Sequence, residues 1–451
     1  MRSRWHGRSR WYEEDGQASN CRDGRLVDAE LGGEAGQAAR LVELSFIEPQ
    51  ERRLTAVFLG RGDCVKLEDR PCGLVADLLL ECLGRFVRQR GGSVVAVFDA
   101  DDFGARDPVV HSVKAGGKEL HILKRGYLFA LLPGARVAVA AAPADDEHVA
   151  ITLWSDADAA GFMRKWQDFA KRDNYLRGRA FFADGEVIER SRRYSWEDIV
   201  VPGEVRETLA THVESFFRNR DALARHGVRL RRGLILSGAP GTGKTLLGKV
   251  LADTLGVSFV WVLPRHVQRP GSFKEILSLA RMVAPCVLFL EDLDLFAEDR
   301  EASSWLGLGE LMNQLDGAMD NEDIVTIATT NRLAVIERAL RNRPGRFDRT
   351  LVIPPLDELG CRALLGKRLA GIRLAPDDMD FLASATAGCT GAEVVEVANT
   401  LLLLAVQRAE AGGEGGDGRP LVLDRSILEA SVVALQGRRR AGMGFGARQR
   451  A

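Results

Sequence analysis

Residues 41–185 combine two kinds of hydrophobic period. The run from Ser93 to Phe98 is typical of a strand, because β-branched and aromatic side chains favour a pleated, half-buried surface. Leu74 and Leu78 instead belong to a repeat with the spacing of a helix that buries one face. More strand-like pieces follow, and then a helix for which Ser155 is the predicted N-cap. We therefore predict an α+β N-terminal domain over residues 41–185 and assign it to partner recognition.

From residue 190 onward, short apolar runs alternate with amphipathic helical patterns. The apolar runs lie at residues 234–236, 258–263, 287–291 and 324–329. This alternation predicts a parallel sheet with helices on both faces. Beyond residue 355 the pattern is helical. The fold class predicted is thus an α/β domain over residues 190–355, followed by a helical lid domain over residues 356–437.

Both ends of the chain lack such periods. Residues 1–40 are rich in Arg, Gly, Glu and Ala and are predicted to be a disordered tail, and residues 438–451 a basic, flexible one. Arginines near the N-terminus interleave with Trp5 and Trp11, so a nucleic-acid-binding arm is an alternative that we do not favour. The 62 Lys and Arg residues balance 63 Asp and Glu residues, so net charge favours neither nucleic acid nor an anionic membrane.

Segments for targeting or membrane insertion are not apparent. No apolar run approaches the roughly 18 residues that a spanning helix needs. The arginine-rich start has no apolar segment behind it, unlike a secretory signal. Seven scattered cysteines without CxxC pairs are typical of reduced core residues. We expect a cytoplasmic protein without a membrane span.

One glycine-rich stretch lies between a predicted strand and a predicted helix. It is Gly238-Ala239-Pro240-Gly241-Thr242-Gly243-Lys244-Thr245, with Leu246 opening the helical pattern. Strand, glycine-rich turn and helix together are typical of a phosphate-binding loop, whose backbone N–H groups wrap a polyphosphate that a Cβ would obstruct. Lys244 would reach the β- and γ-phosphates, and the Thr245 hydroxyl would hold Mg²⁺. The stretch predicts binding of a nucleoside triphosphate.

A second polar cluster follows the apolar run that starts at Val287. It contains three carboxylates, Glu291, Asp292 and Asp294. At a triphosphate site, such a strand end delivers one carboxylate towards Mg²⁺ and another that orients the attacking water. A structural strand ending in exposed acids would look similar by itself, but its position downstream of the phosphate loop favours the functional interpretation.

A third cluster lies beyond the next predicted strand. Asn331 stands at the tip of that strand, and Arg343 and Arg346 follow within an arginine-rich segment. An amide that positions water and guanidinium groups that stabilise developing negative charge would complete a site for hydrolysis.

Together these stretches resemble the AAA family of ATPases within the AAA+ group, over about Trp196 to Leu435. The resemblance implies binding and hydrolysis of ATP with Mg²⁺. It also implies roles for further residues: Ile199 beside the adenine, Gly391 and Ala392 in the sensor-2 motif, Asn331 as sensor 1, and Arg343 and Arg346 as arginine fingers. In that family the fingers act on ATP bound to a neighbouring subunit. A homo-oligomeric ring, usually a hexamer, is therefore implied.

Two features depart from the pattern of this family. Glu291 and Asp292 replace the usual Asp-Glu pair of the Walker B motif, an order shared with AAA proteins that resemble the mitochondrial translocase of folded Rieske protein. By that likeness Glu291 lies on the Mg²⁺ side and Asp292 orients the water, which the shorter Asp side chain would draw nearer the strand. We expect slower hydrolysis but the same chemistry.

The second departure concerns the pore loop. Members that thread peptides carry an aromatic–apolar–Gly triplet after the second strand, whereas residues 264–271 here contain Arg265, His266 and Arg269 and no aromatic. Phe273 is nearby, and packing is an equally good explanation for it. We predict a protein that is not an ordinary threading unfoldase and whose loop suits polar or acidic partners.

Three functions compete at this point. The favoured one is an ATP-hydrolysing, oligomeric remodeller of an unidentified protein client. The alternatives are a nucleotide-sensing ring or switch with little hydrolysis, and a nucleic-acid-associated ATPase that uses the arginine-rich ends.

Overall fold

The computed structural model describes residues 58–59, 65–101, 104–145, 147–298, 311, 314–315, 322–340, 347–411, 421–422 and 425–433. The predicted tails, residues 1–40 and 438–451, lie outside these ranges. The described residues form two compact units: the first ends at Arg177 and also includes Arg281–Val283, and the second contains Gly178–Ala280 and the residues from Ala284 onward. No helix among the residues that the structure describes has the length and apolar character needed to cross a membrane.

The first unit is built on an antiparallel sheet. Its strands are β1 (Val65–Asp69), β2 (Ser93–Asp101), β3 (Gly104–Arg106), β4 (Val109–Ala115), β5 (Lys118–Leu132), β6 (Ala135–Pro143) and β7 (Val149–Ser155). The order is β1-β7-β6-β5-β2-β3, and β4 pairs with β5. Hairpins join β2 to β3, β4 to β5, β5 to β6 and β6 to β7, because an antiparallel pair needs only a short turn. The pairs β1–β7 and β2–β5 instead join strands that are distant in the chain.

Two helices of the first unit pack against each other. They are α1 (Gly73–Gln89) and α2 (Ala159–Arg172). The rings of Phe86 and Phe162 meet edge to face at 5.1 Å. Trp166 is fully buried and donates its indole N–H to the Leu79 carbonyl at 3.0 Å. The aromatic face of α2 that carries Phe162 and Trp166 therefore packs in the core of this unit.

The N-cap predicted for α2 was wrong. Ser155 is the last residue of β7, and Asp158 caps the helix by accepting the Gly161 N–H at 2.8 Å. Both side chains can cap a helix. Strand pairing decides between them, because Ser155 lies opposite Val65 and Val137 in the sheet and so cannot begin a helix.

The second unit contains a six-stranded parallel sheet. Its strands are β8 (Ala180–Phe182), β9 (Arg231–Ser237), β10 (Ser258–Val262), β11 (Cys286–Leu290), β12 (Ile324–Thr330) and β13 (Arg349–Val352). The order is β13-β9-β12-β11-β10-β8, with every pair parallel. The parallel sheet predicted from the alternating pattern is confirmed. Since β9 lies between two strands that come later in the chain, a crevice forms at its carboxyl end.

The second unit begins earlier than the predicted domain boundary at residues 185–190. Gly178 already belongs to it, and β8 pairs with β10 so that Phe182 lies beside Trp261. A short strand in this position covers the edge of β10, which would otherwise present unpaired N–H and C=O groups. Residues 178–185, which were predicted to end the N-terminal domain, thus belong to the second unit.

Helices accompany the parallel strands. They are α3 (Gly203–Leu209), α4 (Ser215–Arg218), α5 (Arg220–Arg225), α6 (Lys244–Thr254), α7 (Ser272–Val283), α8 (Leu295–Glu298) and α9 (Leu333–Leu340). Leu247 and Val250 of α6 are fully buried in one core cluster with Leu236 and Phe289 of the sheet. Burial of this face holds the start of α6 at the end of β9.

The remaining described residues of this unit are mainly helical. They form α10 (Glu358–Arg368), α11 (Pro376–Thr386), α12 (Gly391–Ala411) and a helical stretch over residues 425–433. A short parallel pair, β14 (Ile372–Arg373) and β15 (Leu421–Val422), was not predicted. These helices share a core around Leu365, Leu382 and Leu401. Their assignment to a separate lid domain from residue 356 remains a prediction.

Gly248 generates a prediction about packing between α6 and the sheet. A Cβ at this position would lie 2.6 Å from the ring of Phe289, which is fully buried. We expect Gly248→Ala to lower the free energy of unfolding by about 1–3 kcal/mol, as overpacking does. Gly366 is the control, because a Cβ there meets nothing within 4 Å. Gly366→Ala should stabilise the helix by about 0.5–1 kcal/mol. Urea denaturation of both variants checks the contrast, and equal shifts would contradict it.

Candidate functional site

The phosphate loop connects β9 to α6, and its glycines are required by close approaches. Gly241 and Gly243 have φ angles of +84° and +98°, which side-chain-bearing residues rarely adopt. A Cβ at Gly238 would lie 2.5 Å from the Ile353 carbonyl oxygen. Gly243 is the N-cap of α6, so the first-turn N–H groups of that helix face the loop. Such a turn favours an anion.

Lys244 is held inside the loop. Its ammonium donates to the carbonyl oxygens of Gly238 at 2.8 Å and Ala239 at 3.1 Å, and to Asn331 Oδ1 at 2.8 Å. Burial lowers the pKa of this ammonium, and the carboxylates led by Asp292 oppose that shift. The charge is thereby placed between the loop and the carboxyl end of β12.

Glu291 directly follows β11 and bridges two donors. One carboxylate oxygen accepts a hydrogen bond from the Thr245 hydroxyl, and the other accepts the Trp261 indole N–H at 2.8 Å. Carboxylate and hydroxyl oxygens are hard ligands of the kind that Mg²⁺ takes. The residues present therefore fit a magnesium–triphosphate group: glycines that leave room, a buried ammonium, and Thr245 beside Glu291.

Asp292 lies on the other side of the cluster. Its backbone N–H donates to the Thr329 hydroxyl at 3.0 Å, and its Oδ1 accepts from Asn331 Nδ2 at 3.2 Å. Burial, and then the negative charges of Glu291 and Asp294, raise the pKa of the Asp292 carboxyl, while Lys244 acts in the opposite direction. A carboxylate with this environment accepts a hydrogen bond or a proton more readily than an ordinary aspartate.

Asp294 has a role that sequence reasoning missed. Its side chain is buried, and its Oδ1 accepts from the Thr330 hydroxyl at 2.8 Å and from the Asn331 backbone N–H at 3.1 Å. It thus fixes the turn that presents Asn331. The only sequence signal was its place in the acid cluster, which does not separate a supporting carboxylate from a reacting one.

A cavity of about 460 Å³ opens beside the loop. Predicted residues that line it are Ile199, Pro240, Gly241, Thr242, Gly243, Lys244, Thr245, Leu246, Asp292, Asn331, Gly391 and Ala392. Predicted residues that stand behind this lining are Gly238, Ala239 and Glu291, which hold Lys244 and Thr245. Lining residues that were not predicted are Asp198, Val200, Leu356, Leu364, Arg368 and Val395. The volume is of the size that small-molecule sites have.

Part of the cavity lining is apolar. Ile199 and Val200 line the cavity together with Leu364 and Val395 of the helical residues, and Arg368 adds one charge. Leu364 and Arg368 are four residues apart on α10 and therefore share a face. Periodicity alone shows that such a face exists, but not that it meets the phosphate loop.

The start of α12 contacts the phosphate loop directly. Ala392 donates its backbone N–H to the Gly241 carbonyl at 3.0 Å. A Cβ at Gly241 would lie 2.8 Å from the Ala392 Cβ, so a larger residue at either position would separate loop and helix. Gly391 and Ala392 thus lie beside the phosphate loop, and their assignment to the sensor-2 motif remains a prediction.

Arg343 and Arg346 lie outside the described residues. The segment predicted as a pore loop is described, and several of its side chains have contacts within the chain. The His266 side chain is 7% exposed: its Nδ1 accepts the Leu263 N–H at 3.0 Å, and its Nε2 lies 3.4 Å from Asp184. His266 is therefore engaged within the fold, and the preference of the loop for polar or acidic partners remains a prediction.

The neighbouring side chains of this segment also have intramolecular contacts. Arg265 lies over the Phe182 ring at 5.1 Å, and Arg269 pairs with Glu275 at 3.0 Å. Phe273 is fully buried and packs against Phe296 at 5.7 Å. Packing is thus the explanation for Phe273, as one of the two interpretations of the sequence held.

The strand order, the loop and the carboxylates beyond β11 define a P-loop domain that binds nucleoside triphosphates. Residues 234–355 match the family described as ATPase family associated with various cellular activities (AAA). This part of the chain is an AAA ATPase domain, and the membership implied by the sequence motifs is confirmed.

Known proteins that the chain is similar to include ATP-dependent zinc metalloproteases. It is 34% identical over 236 residues to FtsH of Halothermothrix orenii, covering 49% of this chain and 37% of that protein. It is 32% identical over 271 residues to FtsH 2 of Sphaerobacter thermophilus, covering 57% and 40%. Protein SAV of Sulfolobus acidocaldarius is 31% identical over 261 residues, covering 55% and 33%. The chain thus spans well under half the length of these relatives.

The raised pKa of Asp292 generates a prediction about stability. The Asp292 carboxyl holds its proton more tightly in the folded protein than in the unfolded chain. The folded protein therefore loses stability as the pH rises from the ordinary pKa of 3.8 through the raised folded value. Asp292→Asn removes this cost, so we expect its thermal midpoint at pH 7 to exceed that of the wild type. The difference should disappear as the pH falls below 3.8.

Asp198→Asn is the matched control, with the opposite sign. Hydrogen bonding from the Ser195 backbone N–H lowers the pKa of Asp198, so its ionised form stabilises the fold above the ordinary pKa. We expect a lowered midpoint at pH 7 for this variant. Thermal denaturation without nucleotide over a pH series measures both midpoints. If the midpoints at pH 7 rose in both variants, or fell in both, the opposite pKa shifts assigned to Asp292 and Asp198 would be refuted.

Proposed function

We propose that this chain is an ATPase that hydrolyses ATP to ADP and phosphate with Mg²⁺. The observation that supports this most is the convergence of Lys244, Thr245, Glu291, Asp292 and Asn331 at the carboxyl ends of three adjacent parallel strands. Each of these groups has a place in phosphoryl transfer, where catalysis consists largely of positioning and electrostatic stabilisation.

The residues divide the work by their positions. Loop N–H groups and the Lys244 ammonium bind the phosphate oxygens, and the apolar part of the cavity lining receives the base. Thr245 and Glu291 are the residues that would hold Mg²⁺, which supplies positive charge to the phosphate oxygens when bound. Asp292 orients a water and accepts its proton, and Asn331 holds the Asp292 carboxylate at that angle.

Substitution of the two central residues tests this assignment. Lys244→Ala should weaken binding of ATP about 10–100-fold, the loss that follows when charge-assisted hydrogen bonds of about 1.5–3 kcal/mol are removed. Asp292→Asn should retain ATP binding and lower kcat by about 10²–10⁴-fold, as loss of a general base does. Fluorescent-nucleotide titration and phosphate release measure the two effects.

Lys249→Ala is the control for Lys244, because Lys249 lies on the same helix outside the cavity and over the Tyr194 ring at 5.6 Å. It should bind and hydrolyse ATP normally. An equal loss in both lysine variants, or full activity in Asp292→Asn, would contradict the proposed roles.

We further infer that ATP hydrolysis remodels a protein client within a homo-oligomeric ring. Relatives named as ATP-dependent proteases act on proteins, and the similarity covers their ATPase part. In this proposal the N-terminal unit recognises the client, and Arg343 and Arg346 act on ATP bound to the adjacent subunit. The arginine-rich ends lie outside the described residues, so association with nucleic acid remains an alternative prediction.

Action in trans has a kinetic signature. The rate of hydrolysis per subunit should rise with protein concentration as subunits assemble. Arg343→Ala or Arg346→Ala, mixed with wild type, should lower the rate more than dilution does, since a trans-acting arginine contributes about 10³–10⁵-fold in related chemistry. Arg70→Ala, an exposed arginine of the first unit paired with Glu68, is the control. The ring proposal would be refuted if the rate per subunit did not depend on protein concentration and the arginine variants lowered the rate of the mixture only by dilution.

One observation favours a second function, a nucleotide-sensing switch with little hydrolysis. Asp292 is one methylene shorter than glutamate, and its Oδ1 is already engaged by Asn331 at 3.2 Å. Under that function the wild type would bind ATP and turn it over no faster than Asp292→Asn.

A further inference from the structure

The indole of Trp261 contacts a carboxylate of the candidate site but has no role in the proposed reaction. Trp261 lies on β10 and is 4% exposed, and its Nε1–H donates to Glu291 Oε2 at 2.8 Å. An indole N–H is a donor only, and a buried one needs an acceptor. Here the acceptor is the carboxylate that stands beside Thr245.

Strand register explains why the two side chains meet. Trp261 is paired with Phe289 across β10 and β11, and Glu291 lies two residues beyond Phe289. Side chains two residues apart on a strand point to the same face, so the indole and the carboxylate project on one side of the sheet.

Aromatic neighbours fix the orientation of the indole. Its ring lies 4.8 Å from the ring of Phe289 and 5.5 Å from that of Phe259, centre to centre, and both phenylalanines are fully buried. Rotation of the indole away from Glu291 would disrupt this cluster. The N–H is therefore a fixed donor and not an adaptable one.

The two oxygens of Glu291 are thus held from opposite sides. Oε2 accepts from the indole, and Oε1 accepts from the Thr245 hydroxyl. Glutamate has one more rotatable bond than aspartate, so its carboxylate loses more freedom when it is placed beside a cation. A preorganised donor on the far oxygen reduces that loss.

We propose that Trp261 is a positioning residue for Mg²⁺ binding: its indole N–H holds Glu291 so that the other carboxylate oxygen faces the Thr245 side. This inference rests on the proposed ATPase function. It accounts for a glutamate at a position where the family usually has the shorter aspartate. A residue that only filled the core would be replaced by phenylalanine without effect on Mg²⁺.

Trp261→Phe tests the proposal, because it retains an aromatic ring and removes the donor. The readout is the free Mg²⁺ concentration at half-maximal binding of a fluorescent, non-hydrolysable ATP analogue. We expect this concentration to rise about tenfold, as loss of a residue that orients a metal ligand does. Affinity for the analogue in EDTA should stay at the wild-type value.

Trp166→Phe is the matched control. Trp166 is a buried tryptophan of the first unit that donates its indole N–H to the Leu79 carbonyl at 3.0 Å. Loss of that bond should lower the thermal midpoint and leave the Mg²⁺ dependence unchanged. Equal Mg²⁺ shifts in the two variants, or an equal loss of affinity in EDTA, would overturn the proposal.

A second background separates positioning from general damage. Glu291→Asp withdraws the carboxylate from the indole by one methylene, so adding Trp261→Phe there should change the Mg²⁺ dependence by less than about twofold. An unreduced tenfold effect would overturn the proposal. Wild type that binds no nucleotide would refute the proposed function and this inference together. Normal nucleotide binding, with unchanged Mg²⁺ dependence in Trp261→Phe, would refute only the inference.

Discussion

The ammonium of Lys244 ties the phosphate loop to the neighbouring strand, because it donates at once to two loop carbonyls and to Asn331 Oδ1. Asn331 in turn donates to Asp292 and receives support from Asp294. Loop, β11 and β12 are therefore joined in one hydrogen-bonded network. Members of such a network polarise one another, and removal of one member affects the rest.

The same network explains the electrostatics of the site. Three carboxylates end one strand, and one buried ammonium faces them, so the local charge is unbalanced towards the negative. Burial and mutual repulsion raise the pKa of Asp292, and burial lowers that of Lys244. Perturbed ionisable groups of this kind mark functional sites, because packing alone would favour apolar residues there. A divalent cation beside Glu291 would relieve the imbalance.

Local patterns predicted much of this arrangement, and pairing between distant segments set the rest. The helix Ser272–Val283 and the strand Ile324–Thr330 follow from hydrophobic period. The addition of β8 to the parallel sheet depends on its pairing with β10, far along the chain. The Asp158 cap depends on competition between the helix and β7 for Ser155. The contact between Trp261 and Glu291 depends on register, which no window of sequence contains.

Backbone conformation at the strand end accounts for the order of the two acids. Asp292 has a φ of +52°, a left-handed conformation that turns its carboxylate towards Asn331 while Glu291 points to Thr245. Aspartate enters this region more readily than residues with longer side chains, because its short polar group bonds locally. Glutamate at the preceding position supplies the extra length that reaches both Thr245 and the indole of Trp261. In this chain the Glu-Asp order therefore places each side chain where its length and backbone preference are satisfied.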